Sequence, residues 1–376
     1  MKKNILISIC NRTNFTKLYP VLKELKKSKK INLKIILSST IANTRYSDAF
    51  NDIKRRRFKI NEYFESSMLN TTHEAMSNNL SLSIVKHADY LKKTKIHLYL
   101  SVGDRFDALP AYITCLIENI PIVHIQGGEK SGSIDNIIRS IISIGSNLHF
   151  PATVLSKKNL ENIGINKKSI FNYGCPAVEY ISKIKVGKYL DVKKLKKKFR
   201  NKIFINSKSN YSVVILHPNT TSSKDVDIMQ IIQAILECQL KIIIFYPNLD
   251  ANSSTIEKYF NDLKKNKNIV FIKHAPVEDF TKLIAHSKIV IGNSSAGIRE
   301  AASFGIPVIN IGNRQINRER NKNTFDCSTN KEKLKNLINK LKNKKFKKKN
   351  IYYKNNSAKN ISKKIIEFIK TNAKKY

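Results

Sequence analysis

Short unbroken apolar runs alternate along this chain with longer stretches whose apolar residues recur at helical spacing. Residues 5–10, 33–37, 96–102 and 121–126, and a short run ending at His149-Phe150, read as strands buried on both faces, as parallel sheets require. Between them, residues 16–28 carry Leu18, Val21, Leu22 and Leu25 at helical spacing, and 72–93 and 106–119 also read as helices. Residues 41–70 are polar, rich in Arg and Asn, and lack a clear period. So long a structureless loop is uncommon, which predicts a short helix or a flap there. Residues 170–173 run into Gly174-Cys175-Pro176, and the basic segment 181–210 reads as a helix plus a linker. The alternation then restarts, with strands at 212–216, 241–246, 269–272, 288–291 and 308–311 and a helix at 226–238. Two successive runs of βα units predict an α/β chain of two Rossmann-like domains with a cleft between their strand ends. The domains fall at 1–180 and 211–354. An amphipathic helix near 357–370 is expected to pack back, so that 355–376 joins the first domain. No repeat of 20–50 residues is visible.

In such sheets ligands sit beyond the carboxyl ends of the strands, and ionisable residues gather there. Asp104 and Arg105 follow the strand at 96–102. Glu129 follows Gly127-Gly128 after the strand at 121–126, and Asp135 and Arg139 lie on the next helix. Three carboxylates beside two guanidiniums suit acid–base chemistry on an anionic substrate. The same spacing also allows a plainer account: Asp104 caps a helix, Asp135 favours a helix N-terminus, and the glycines form an ordinary loop. A second motif runs from Gly292 through Asn293, Ser294, Ser295 and Gly297 to Glu300 and Ala302. There a strand delivers a small-residue turn into a helix, an arrangement suited to a diphosphate, with Glu300 placed for ribose hydroxyls. A simple Ser N-cap is the alternative. Arg12, His217, His274 and Arg314 each directly follow a strand on the same rim. His124 and His149 belong to no spaced metal-binding pair.

Composition narrows the class. At 376 residues, 41% hydrophobic and 9% aromatic, the chain can fill two cores. The formal net charge of +41 raises nucleic acid or an anionic membrane surface. Its lysines concentrate at 183–202, 264–267 and 331–349, mixed with Asn and Ile, as on solvated faces. No RNP, zinc-finger or basic-zipper pattern accompanies them, so no specific nucleic-acid partner is expected. The apolar start stops at Asn11-Arg12, too short for a signal peptide, and no run approaches the ~18 apolar residues of a membrane span. Five scattered cysteines without a C-x-x-C pair fit a reducing cytoplasm rather than a disulfide framework or a zinc site.

Taken together the motifs resemble the hydrolysing UDP-N-acetylglucosamine 2-epimerases of sialic and related nonulosonic acid biosynthesis, over roughly residues 4–320. The resemblance rests on Cys10-Asn11-Arg12, Gly103-Asp104-Arg105, Gly127-Gly128-Glu129 with 131–135, Gly174-Cys175-Pro176, His217-Pro218, Phe245 to Asn248, the 292–300 motif, and Gly312-x-Arg314-Gln315 with Arg318-Glu319. It implies the GT-B fold, a homodimer or homotetramer, and conversion of a UDP-2-acetamido sugar to UDP and the free 2-epimer without nicotinamide or evident metal. It also implies roles. Asp104, Glu129 and Asp135 would transfer protons. Arg12, Thr16, Arg105, Arg139, His217, Ser294 and Ser295 would bind the substrate, Glu300 the ribose, and Asn248, His274 and Arg314 the nucleotide. Thr13, Asn14, Thr40, Asn136, Ser140 and Asn317 depart from the family's usual residues, several of which are ionisable. The departures concentrate in the sugar half, which fits a different acetamido sugar, such as a 2,4-diacetamido-6-deoxy one, or reduced activity. A GT-B glycosyltransferase and a catalytically inactive UDP-sugar-binding protein are the rival readings.

Overall fold

The computed structural model describes residues 2–38, 47–64, 72–199, 210–218, 227–247 and 253–372. The chain divides into two compact units, Met1–Lys130 with Ile134–Tyr180 and Tyr352–Tyr376, and Ser131–Ser133 with Ile181–Ile351.

The first unit runs β1 (Lys3–Ile9), α1 (Arg12–Leu25), β2 (Ile31–Leu37), α2 (Ser47–Arg55), β3 (Ile60–Tyr63), α3 (His73–Lys93), β4 (Leu98–Val102), α4 (Leu109–Ile117), β5 (Ile122–Ile125), α5 (Asp135–Ile144), β6 (Leu148–Phe150) and α6 (Val154–Asn162). Its six strands pair in parallel in the order β3-β2-β1-β4-β5-β6. Right-handed crossovers place α1 and α2 on one face and α3, α4 and α5 on the other. The alternation of β1 shows both layers: Ile5, Ile7 and Ile9 enter a core with α1, while Leu6 enters a core with residues of α4 and α5. The first helix begins four residues earlier than its periodicity predicts. Asn11 caps it, accepting from the amides of Thr13 and Asn14. The polar stretch 41–70 supplies α2 and β3; the flap expectation falls on 39–46 and 65–71, outside the described residues. The apolar segment at 170–173 forms only a single bridge, from Ile170 to His149.

After α7 (Pro176–Ser182), the second unit runs α8 (Val192–Lys198), β7 (Tyr211–Ile215), α9 (Ile228–Glu237), β8 (Lys241–Phe245), α10 (Ser253–Leu263), β9 (Ile269–Ile272), α11 (Val277–Ala285), β10 (Ile289–Gly292), α12 (Ser295–Glu300), β11 (Val308–Ile311), β12 (Thr324–Cys327) and α13 (Lys331–Leu341). Its parallel sheet has the order β12-β11-β10-β7-β8-β9, the topology of the first sheet repeated. The lysine-rich segments are built into this unit rather than appended to it. Leu190 and Leu195 enter its core, and Leu334, Ile338 and Leu341 bury one stripe of α13 while the lysines take the other. The last helix, α14 (Ser357–Asn372), lies on α1, where the Ser362 hydroxyl donates to the carbonyl of Val21 at 3.2 Å. Among the described residues no helix is long and apolar enough to cross a membrane.

Candidate active site

Each sheet reverses its strand order once, between β1 and β4 and between β7 and β10, and ligands of such sheets bind outside the strand ends at that point. In the first unit, Asp104 leaves β4 there. Its carboxylate pairs with Arg139 of α5, Nη2 to Oδ2 at 2.5 Å, and lies 3.9 Å from the ammonium of Lys17. The other terminal nitrogen of Arg139 donates to the main-chain carbonyl of Glu129. Arg139 is only 1% exposed, so one guanidinium holds the Asp104 and Glu129 segments together from inside the fold. Cations from α1 and α5 thus face the Asp104 carboxylate. The short 3-10 turn at Phe106–Ala108 starts at Arg105, without a side-chain cap. Asp135 opens α5 half-exposed, where the helix dipole favours an acid.

Arg105, placed by sequence on the substrate, lies buried against Asp107, with Nη2 3.1 Å from Oδ2. The amide of Asn11 reaches both oxygens of Asp107, at 3.3 and 3.4 Å, and also Asn14 Oδ1 at 2.8 Å. Asn14 thus fills its position as a neutral acceptor near an existing carboxylate. Thr16 stands half-exposed in the second turn of α1; Arg12 is its first residue, with a side chain outside the described set. Ser140 turns its hydroxyl back to the carbonyl of Asn136, at 3.1 Å.

The second unit centres on Asn293, a member of the Gly292–Ala302 motif with no role of its own assigned from sequence. Its side chain receives the His217 amide at 2.8 Å and donates to the His217 carbonyl at 2.8 Å, clamping the chain beyond β7. Its own carbonyl accepts from Arg314 at 3.2 Å and Gln315 at 3.0 Å, and Gln315 in turn accepts from Arg318 at 2.7 Å. Arg314 also accepts, through its carbonyl, the amide of Gly132 at 3.1 Å. Only glycine fits before Asn293: Gly292 has φ +144, and a Cβ would stand 2.0 Å from the carbonyl oxygen of Ile215. Ser294 caps α12 and Ser295 begins it, while Glu300 ends it half-exposed. His274 follows β9, also half-exposed. Asn248 lies outside the described residues. The hub was hidden because an Asn between a glycine and two serines reads as turn chemistry; only the fold shows two loops hanging from it.

His124 and His149 are paired in register across β5 and β6, and burial pushes their imidazoles down to about 3 and about 4, so both are neutral. Among the described residues no group of three His, Cys, Asp or Glu side chains is placed to hold a metal ion.

Two 3-2-1-4-5-6 parallel sheets in one chain, each with its polar groups at the switch point, define a protein of the GT-B class. Over 97% of its length the chain is similar to the crystal structure of UDP-GlcNAc 2-epimerase from Neisseria meningitidis bound to UDP-GlcNAc, with TM-score 0.80, 20% identity and all of that chain covered. It is 31% identical over 328 residues, 87% of this chain and 85% of the relative, to the UDP-N,N'-diacetylbacillosamine 2-epimerase (hydrolyzing) of Legionella pneumophila. It is 29% identical over 352 residues, 92% and 89% of the two chains, to the GDP/UDP-N,N'-diacetylbacillosamine 2-epimerase (hydrolyzing) of Campylobacter jejuni. Residues 23–367 match the UDP-N-acetylglucosamine 2-epimerase family, and the chain belongs to it.

Proposed function

We propose that the chain is a hydrolysing 2-epimerase that converts a UDP-2-acetamido sugar to UDP and the free 2-epimer. The observation that carries this is the double attachment of Arg139, which ties the Asp104 carboxylate to the Glu129 segment from the helix that Asp135 opens. A carboxylate takes the proton from C2 while the C1–O bond to the diphosphate breaks and its electron pair leaves with UDP. The C1=C2 alkene so formed then takes up water, hydroxyl at C1 and hydrogen at C2 from the opposite face. Such a sequence needs an acid and a base on different sides of the sugar, and three carboxylates supply them. His217, His274, Ser294, Ser295 and Arg314, with Asn248, serve the nucleotide and diphosphate, and Glu300 the ribose. Arg12 and Thr16 are substrate-binding residues, and Arg105 supports the loop through Asp107.

The substrate is UDP-GlcNAc or a 2,4-diacetamido relative, its product destined for nonulosonic acid and surface polysaccharide synthesis. The names of the Legionella and Campylobacter relatives favour the diacetamido sugar, as do neutral Asn14, Asn136 and Ser140. Incubation with a panel of UDP-acetamido sugars tests this. UDP release without an acceptor, a free 2-epimer, and solvent deuterium at C2 are expected. Release only with an acceptor would make it a glycosyltransferase, and binding without turnover a sugar-nucleotide binder.

The homo-oligomer joins through the outer face of α3, α4 and α5. Ile134, Ile137, Ile141 and Ile144 stand exposed along α5, up to 64%, with Leu116 and Ile117 at the end of α4 and Leu82 and Val85 on α3. No lysine occurs from 131 to 156 of a chain whose net charge is +41, so copies that repel elsewhere can meet along α5. Sedimentation should show an oligomer that Ile137→Asp with Ile144→Asp dissociates; an unchanged mass would place the contact elsewhere.

A further inference from the structure

We infer that His124 is a positioning residue for the proton-transfer carboxylates: its imidazole fastens together the three segments that carry Asp104, Glu129 and Asp135. The inference rests on the epimerase reading above and assigns a task to a residue that touches none of the reacting atoms.

His124 lies in β5 and is fully buried. Its Nε2 stands 2.7 Å from the carbonyl oxygen of Gly103, and its Nδ1 stands 3.0 Å from the hydroxyl of Ser143. A carbonyl only accepts, so Nε2 carries the hydrogen, and Nδ1 accepts from the Ser143 hydroxyl. Gly103 immediately precedes Asp104 and turns the chain out of β4 at φ +84. Ser143 lies one turn beyond Arg139 on the helix that Asp135 opens. The third segment is held by shape: a Cβ on Gly127, two residues before Glu129, would come within 2.8 Å of both His124 Nδ1 and Ser143 Oγ. The ring therefore sits where the β4 turn, the β5 turn and α5 converge.

The partners of His124 lie 21 residues before it and 19 after it, each on a segment that bears a carboxylate. Burial keeps the ring neutral, so one tautomer persists through the working pH range. Three loops that must hold acid and base on opposite sides of a sugar need a fixed common post, because displacement by about 1 Å costs on the order of 10²-fold in rate.

The test compares three variants by steady-state turnover of the preferred UDP sugar, with UDP-induced thermal stabilisation as the control. His124→Phe keeps the bulk and removes both bonds. His124→Gln keeps an amide donor for the Gly103 carbonyl. Gly127→Ala pushes a methyl group against the imidazole. His124→Phe and Gly127→Ala should each lower kcat by about 10²-fold, with KM and the UDP shift retained. His124→Gln should recover most of the rate, because it restores the donor to the Gly103 carbonyl. If His124→Phe does not fold, the other two decide the matter. Wild-type kcat in folded His124→Phe overturns the inference. So does a loss that Gln fails to recover and Gly127→Ala fails to reproduce, since general destabilisation would then explain it. No turnover by the wild type on any sugar of the panel removes the epimerase reading, and this inference with it.

Discussion

Arg139 reaches two places with one guanidinium: the carboxylate of Asp104, 35 residues away in sequence, and the main-chain carbonyl of Glu129. A planar cation with several donors can do this; an ammonium on a flexible stem cannot hold both at fixed separation. The electrostatics follow from the same geometry, since the pair is largely buried and bulk water screens it little.

Arg139→Lys should therefore leave the charge but lose the span. We expect a folded protein with normal UDP stabilisation and kcat lower by about 10²-fold. Arg139→Met, which leaves Asp104 without its main partner, should also cost stability, roughly 3–5 kcal/mol as for other broken buried pairs. Denaturant titration and steady-state kinetics measure the two effects separately. Equal activity in Arg139→Lys would mean that the two carboxyl segments need no common tie.

Glu129→Gln, Asp104→Asn and Asp135→Asn preserve size and most hydrogen bonding while removing the proton-transfer group. Each should lower turnover by roughly 10²–10⁴-fold, read by UDP release and by deuterium uptake at C2. A residue serving only a helix end would tolerate Asp→Asn, since both cap well. Wild-type rates in all three variants would make this cluster scaffolding.

The sequence makes the strands and most helices legible because buried parallel strands leave unbroken apolar runs and their flanking helices leave a 3.6-residue period. The βα alternation also puts whatever follows a strand on the ligand-binding rim, which is why Asp104, Glu129, His217 and Ser294 could be singled out, whereas strand order and switch points are read from the fold. What stays hidden is partnership. Nothing local separates Arg105, which turns inward to Asp107, from Arg139, which spans two segments. Asn293 and His124 are equally opaque, because their partners lie tens of residues away. The edge strand β12 is four residues long and only partly buried, and the helix α13 is lost in lysine-rich sequence, where Leu334, Ile338 and Leu341 alone mark a buried stripe.

Asn293→Ala should release the chain beyond β7 without disturbing the sheet beneath it. It removes both side-chain bonds to His217 and leaves that buried amide without its acceptor, at a cost of about 1–3 kcal/mol, while the main-chain carbonyl at 293 still holds Arg314 and Gln315. The expected outcome is loss of most UDP-induced thermal stabilisation, as also for Ser294→Ala with Ser295→Ala. A full UDP shift in Asn293→Ala would place the nucleotide elsewhere.

Acid should unfold this protein earlier than its carboxylates alone would require. His87, His124 and His149 are buried, and desolvation lowers their imidazoles to about 4, about 3 and about 4. In the unfolded chain each titrates near the ordinary value of about 6.5. Between those values the unfolded state binds more protons than the folded one, so stability rises with pH across this window and is lost as pH falls from about 6.5 towards 4. Three such groups acting together amount to several kcal/mol, a large part of a typical domain's roughly 5–15. Melting temperature should therefore be nearly flat above pH 7 and drop steeply below 6.5. His87 is the place to check this, because it lies on α3 with its ring against Phe64 and Ser8, away from the proposed chemistry. His87→Gln can keep a bond to Ser8 but cannot take up a proton, so the variant's stability should fall less between pH 6.5 and 4.5 than the wild type's. Equal pH slopes for the two proteins would show that His87 does not carry this part of the acid sensitivity.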